Sequence, residues 1–303
     1  MKRKVIQLAG KTLVVSMPNK WVKKFGVCKG DEVDVEEEER KLVIKVQGKG
    51  EQTVKKIDVK ELDNMLNRTI GALYKAGYEE IEITYHSPEQ YKIIRKVLDK
   101  TCMGFEIIKH GKRVLIIKNL SDLHPQEFEN ILRRLFLSLL SSADDALEYV
   151  KQSNFQGMEE VVLRDSIINK YSDLCRRILN IQGYGTLKKT TTYYHICEEL
   201  ERIGDAYRDF MAFIIQNKIK KVDKNTLELF ADINQYLRCF YELFYQFDMK
   251  KLEEFGVKSN IMKKTLEKRF DTVSPQVIKL NYYIYNIFYM ISNMNGVLIT
   301  ANI

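Results

Sequence analysis

The chain has little of what most enzymes, secreted proteins and membrane proteins require. Its five cysteines (Cys28, Cys102, Cys175, Cys197, Cys239) are odd in number, scattered and never in a CxxC pair. That excludes a disulfide scaffold and a zinc knuckle, and implies reduced thiols in the cytoplasm. The four histidines (His86, His110, His124, His195) lie far apart, with no HxxxH or HExxH among them. His195 and Glu199 stand at i and i+4, a spacing that more often marks a surface contact than a ligand set. No GxSxG, Walker loop or GxGxxG is present, so catalysis finds little support. The first ten residues, Met1 to Gly10, turn polar too soon for a signal peptide. Charge is missing altogether from Leu280 to Ile303, a length sufficient to span a bilayer. Asn281, Asn286, Asn293, Asn295 and Asn302 would each need a partner in hydrocarbon, so a buried terminal helix is expected and not a membrane span.

Acid is absent from residues 1–30, which carry eight basic side chains. The net charge of +8 is uneven: residues 1–50 hold +5, residues 51–120 hold +3, and residues 121–303 balance to zero. A basic stretch followed at once by an acidic one, Asp31 to Glu39, describes a small polarised domain whose natural partner is nucleic acid. Hydrophobic residues make up 45% and charged residues 30%, the proportions of an ordinary folded protein.

Residues 1–49 read as four short strands around one short helix. Lys4–Leu8 and Thr12–Val15 are β-like, Pro18 opens a helical turn, and Gly26 closes it. Val33 and Val35, then Leu42, Ile44 and Val46, alternate with polar residues on either side of a turn at Glu38–Lys41. A unit of this size buries little by itself, and a second copy is its simplest partner. The line Gly10-Lys11-Thr12-Leu13-Val14-Val15-Ser16-Met17-Pro18, followed by Gly26-Val27-Cys28-Lys29-Gly30-Asp31-Glu32-Val33, resembles the AbrB/SpoVT family. The resemblance implies a swapped-strand β-barrel formed by a homodimer, with basic residues of one face on double-stranded DNA. By position, Arg3, Lys4, Lys11 and Lys23 match such contacts, and Lys20 and Lys24 extend the set. Val22 stands where the family often has a second helix arginine. Trp21 is read as core and not as a base-stacking residue.

Residues 50–120 follow a β-α-β-α-β-β order. A strand near Thr53–Val59 precedes a helix over Lys60–Lys75, with Leu62, Met65, Leu66, Thr69, Ile70 and Leu73 on its inner side. Ile81, Ile83 and Tyr85 alternate as a strand, and Pro88 starts a second helix with Tyr91, Ile94, Val97 and Leu98 inward. Phe105–Ile108 and Val114–Ile117 flank His110-Gly111-Lys112-Arg113 as a hairpin. This order resembles the segment that archaeal PhoU-like proteins place between their two ends.

Residues 121–303 are helical throughout, in patterns over 124–151, 157–182, 188–217, 224–247, 257–272 and 275–301. They divide into weakly similar halves, 124–217 and 224–303, as two three-helix repeats would. The third pattern carries Glu201, Asp205 and Asp209 on one face, where like charges repel unless a cation, a basic partner or water relieves them. Gly204 costs that helix about 1 kcal/mol against alanine, which points to a close helix approach there. Leu200-Glu201-Arg202-Ile203-Gly204-Asp205 resembles the signature closing each three-helix repeat of PhoU proteins, six-helix regulators of phosphate uptake. In that family a third-helix Glu-xxx-Asp faces a second-helix Asp-xxx-Asp, and the four hold a divalent metal or iron. Carried over, the set is Asp165, Asn169, Glu201 and Asp205, weakened because an amide replaces one acid. The alternative is an acidic stripe paired with Arg202 or Arg208. In the second half, Ile291–Gly296 holds no acid and faces Ser259, Asn260 and Lys263, so no cluster is expected there.

The expected architecture is therefore multidomain α+β: an AbrB-like module (1–49), an α/β unit (50–120) and an all-α six-helix PhoU-like bundle (121–303). The expected function is that of a cytoplasmic, non-enzymatic, DNA-binding regulator of phosphate uptake. One rival is an adaptor that docks on phosphate transporter components or a sensor kinase, its N-terminal module serving only to dimerise. Another is a metal-dependent enzyme built on the carboxylate helices.

Overall fold

The computed structural model describes residues 1–38, 41–46, 54–121, 127–270 and 274–302. Outside them lie turn residues 39 and 40, the boundary at 49/50, Thr53, His124 with the start of the first helical pattern, and residues 271–272.

In the N-terminal module, β1 (Ile6–Leu8) pairs antiparallel with β2 (Thr12–Val14), Leu8 opposite Thr12. The turn between them has positive φ at both Ala9 and Gly10. Helix α1 (Asn19–Phe25) follows Pro18 and ends at Gly26, whose φ of 62° lets the next N–H, that of Val27, return to the Val22 carbonyl at 3.0 Å. Strands β3 (Val33–Glu38) and β4 (Lys41–Val46) form a second antiparallel pair with Val35 opposite Ile44. The two pairs are separate sheets, so a single chain closes no barrel among the described residues. Ile6, Leu8, Leu13, Val15, Val35 and Leu42 each remain more than half exposed. The sequence alternates as an inside-outside pattern requires, but the inside is missing until another surface covers it.

The central unit is a four-stranded sheet in the order β5 (Val54–Asp58), β6 (Glu80–Thr84), β8 (Val114–Asn119), β7 (Phe105–His110). Strands β5 and β6 are parallel and the other pairs antiparallel. Ile81, Ile83, Leu115 and Ile117 are fully buried beneath α2 (Leu66–Lys75) and α3 (Pro88–Lys100). Ser87 caps α3 by accepting the Gln90 N–H at 3.1 Å. Helix α2 starts six residues later than the periodicity predicts. Asp58 instead accepts the Lys60 N–H at 2.9 Å, and Gln90 donates to the Val59 carbonyl at 2.9 Å, which holds that stretch in turns. Met65 is consequently exposed, whereas Tyr74 is fully buried with its hydroxyl donating to the Met103 carbonyl.

The helical part comprises α4 (Phe128–Gln152), α5 (Phe155–Gln182), α6 (Leu187–Gln216), α7 (Lys224–Tyr245), α8 (Met249–Phe270), α9 (Pro275–Asn293) and α10 (Asn295–Asn302). Asn154, Thr186 and Asp223 cap α5, α6 and α7 with side-chain oxygens. The first three helices form one unit and α7–α9 a second, with α6 against α9 and α4 against α7. The fifth helix was expected to begin at residue 257, yet α8 runs from Met249 straight through Gly256. Phe255 stacks on Tyr236 with ring centroids 4.1 Å apart, and that burial outweighs the glycine's cost. The last pattern breaks at Met294. Asn281, in α9, is fully buried against Thr226 of α7, and no helix of the described residues is long and apolar enough to cross a membrane.

The α/β unit is fastened to α5 through Arg177, which is only 1% exposed. Its Nη1 donates to the carbonyls of Tyr74 (2.7 Å) and Tyr78 (2.9 Å), and its Nη2 to Glu79 (2.7 Å). The guanidinium also lies over the Tyr74 and Phe105 rings, 5.1 and 4.9 Å from their centroids. Nearby, Asn180 donates to the Lys75 carbonyl at 2.8 Å. Gly77 has a φ of +88°, and a Cβ there would sit 2.7 Å from the Ile181 side chain. Replacing Arg177 with Met takes the guanidinium donor from the Tyr78 carbonyl, leaves the Tyr74 carbonyl with only the Gly77 N–H, removes the partner of Glu79, and is expected to cost roughly 3 kcal/mol in urea unfolding. Glu79→Ala should also cost about 3 kcal/mol, because it leaves the buried guanidinium without that acid partner.

Candidate functional site

The acidic face of α6 is neutralised by arginines that the helical pattern itself supplies. Arg208 donates through Nη1 to Asp205 and, at 2.9 Å, to Asp165 on α5, and through Nη2 to Asp209 at 2.8 Å. Glu201 sits one turn away in a second network. It accepts from Arg176 and from the Ser172 hydroxyl (3.2 Å). Arg176 also donates to Asp173 (2.7 Å), which in turn accepts from Lys75 of the α/β unit at 2.9 Å. Of the two arginines offered as partners by the sequence, Arg208 fills that place. Arg202 instead reaches back to the buried Glu199 at 2.7 Å.

The set Asp165, Asn169, Glu201 and Asp205 is therefore divided. Asp165 and Asp205 gather around Arg208, Asn169 donates to Asp165 at 3.1 Å, and Glu201 belongs to Arg176. Among the described residues, no group of three or more His, Cys, Asp or Glu side chains is arranged to hold a metal ion. Asp165 Oδ1 and Asn169 Oδ1 are buried oxygens without partners, but a guanidinium already lies against the same acids and would repel a second cation. The residues present do not fit a four-oxygen cation site in this arrangement. Burial raises the pKa of Asp165, Asp205 and Glu201, and the adjacent Arg208 or Arg176 opposes that rise.

Gly204 has the role its cost implies: a Cβ there would come within 3.0 Å of Ile168, so α5 and α6 cross at this point. The second half has hydroxyls where the first has acids. Ser259 and Ser292 lie 3.0 Å apart, with the Tyr236 hydroxyl 3.4 Å from Ser292.

Arg3, Lys4, Lys11, Lys20, Lys23 and Lys24 are all exposed, and none is paired with an acid among the described residues. Lys20, Lys23 and Lys24 occupy one face of α1 by their i, i+3, i+4 spacing. Lys11 follows the turn at Ala9 and Gly10. Trp21 is half-buried against Phe25, at 5.3 Å between rings, in keeping with a packing role. Sequence reasoning missed Asp173, Arg176 and Arg177. Their signal was available: two adjacent arginines set between the apolar pairs Leu174-Cys175 and Ile178-Leu179 on a long helix.

Removing Arg208 by R208A leaves Asp165 buried beside Asp205 without a cation, and should cost about 3 kcal/mol at pH 7. A carboxyl whose folded pKa lies above its unfolded value favours the fold at low pH and loses that contribution as pH rises through the folded pKa. The R208A penalty should therefore shrink as pH falls toward the ordinary aspartate value of 3.8. At pH 7, adding D165N should restore most of the loss. Urea unfolding at the two pH values, on both variants, checks this.

Two family models match the sequence. One, described as antidote-toxin recognition MazE, bacterial antitoxin, covers residues 6–52, and the other, the PhoU domain, covers residues 132–213. No curated protein and no solved structure gives a significant match. The first match spans both strand pairs and α1, and the second spans most of the first three-helix unit, including α5 and the acidic face of α6. Both are regulatory families and not catalytic ones.

Proposed function

We propose that this chain, in which a MazE/AbrB-like module precedes a PhoU domain, is a DNA-binding transcriptional regulator of phosphate uptake of the archaeal PhoU-like type. The observation that carries the reading is the N-terminal module itself. Six exposed cations, none paired with an acid among the described residues, stand on a unit whose apolar side chains are left uncovered. Cations without acid partners suit a phosphate backbone, because each contact releases a condensed counterion. Uncovered apolar residues suit a homodimer, because burying them in a second copy supplies the core that one module lacks. In this reading residues 1–49 bind double-stranded operator DNA and residues 50–120 connect. Residues 121–303 receive the phosphate signal through a protein partner such as a transporter component or sensor kinase. The protein works in the cytoplasm and is not an enzyme.

The test is fluorescence anisotropy of the full chain with duplex DNA from its own upstream region, across a salt series. Affinity should fall with salt at a log–log slope of about 0.9 per phosphate contacted. K11E/K23E should abolish binding under conditions where the parent binds. If the parent shows no duplex binding even at low salt, the adaptor reading replaces this one.

A further inference from the structure

Between the α/β unit and the helical unit lies a cleft of about 750 Å³, walled by α2 and α3 on one side and α5 and α6 on the other. Its volume falls within the range of roughly 300–1,000 Å³ common to small-molecule sites. The two walls differ in charge. Arg68 on α2 and Lys96 and Lys100 on α3 are exposed and have no acid partner among the described residues. Lys96 and Lys100 are one turn apart and share a helix face, so their charges reinforce each other. Across the cleft, Asp173 and Glu201 are already occupied by Lys75 and Arg176. Glu198 is exposed, with no hydrogen bond or ion pair among the described residues. Tyr194 offers a half-buried ring beside them. Arg176 also lines the cleft. It is 5% exposed, and its Nε–H has no acceptor among the described residues.

An inorganic anion would use only the basic wall and would meet Glu198 opposite. A ligand suited to both walls has dense negative charge at one end and hydrogen-bond donors at the other. We propose that this cleft binds a nucleotide, with its phosphates on Arg68, Lys96 and Lys100 and its ribose or base donating to Glu198. Arginine and lysine are suited to phosphoryl oxygens, which accept charge-assisted hydrogen bonds from both. A lone carboxylate is suited to hydroxyl and amino donors. Such a ligand spans the two units and links the α/β unit to the acidic helix, whatever the N-terminal module binds.

Isothermal titration calorimetry of the full chain with ADP, and separately with pyrophosphate, tests the assignment. One ADP per chain is expected. K96A/K100A should weaken it about tenfold or more, since two charged contacts are lost. E198Q should weaken ADP while leaving pyrophosphate unchanged. All three positions are exposed, and circular dichroism of each variant verifies that it folds. Three results would overturn the proposal: no ADP binding at millimolar concentration, ADP affinity indifferent to K96A/K100A, or pyrophosphate binding as tightly as ADP. The second would place the nucleotide on the N-terminal lysines, and the third would show that the acidic wall takes no part.

Discussion

The buried guanidinium of Arg177 is the constraint on which the arrangement of the larger part of the molecule depends. A helix leaves its last carbonyls without internal partners, and these normally turn to water or to a local cap. Helix α2 ends at Lys75 against another unit, where water is excluded from Tyr74. Arg177 satisfies the Tyr74 and Tyr78 carbonyls from outside, and its positive charge complements the negative end of the α2 dipole. Glu79 and two aromatic faces offset the cost of taking that charge out of water. A lysine would not serve, because it lacks the planar fork that reaches three acceptors at once.

Everything at the interface is registered by that contact. With Tyr74 held, Lys75 is presented to Asp173, and Asp173 is shared with Arg176, which holds Glu201. Charge thus alternates from the sheet unit into the acidic helix without a gap. The next turn repeats the device with Arg208 among Asp165, Asp205 and Asp209. The acidic stripe is consequently a set of partly buried ion pairs, and its carboxylates retain elevated pKa values because burial disfavours their charge. The same registration sets α2 and α3 opposite α5 and α6 and so creates the cleft.

Among the described residues, the N-terminal module has no comparable anchor. Its strands and helix have clear local determinants: Gly10 and Gly26 at positive φ, and alternating valines in β3 and β4. What it lacks is an interior, because fewer than fifty residues cannot enclose one. The proposed function would supply a partner both for its polar surface and for its bare apolar side chains.

Much of this was legible in the amino-acid order. Helix boundaries at Pro18, Asn154, Thr186, Asp223 and Pro275, the antiparallel hairpin around Gly111, and the close approach at Gly204 follow from local chemistry that acts within a few residues. The start of α2, the passage of α8 through Gly256 and the burial of Tyr74 did not follow, because each was decided by contacts distant in sequence: Gln90 on Val59, Phe255 on Tyr236, Arg177 on Tyr74. The acidic face of α6 shows the division most clearly. Its spacing determined that Glu201, Asp205 and Asp209 must be relieved of mutual repulsion. Only the packing of α5 against α6 and α2 decided that guanidinium groups would do so, since a charge is neutralised by whatever the fold brings within a few ångströms, and sequence separation places no limit on that.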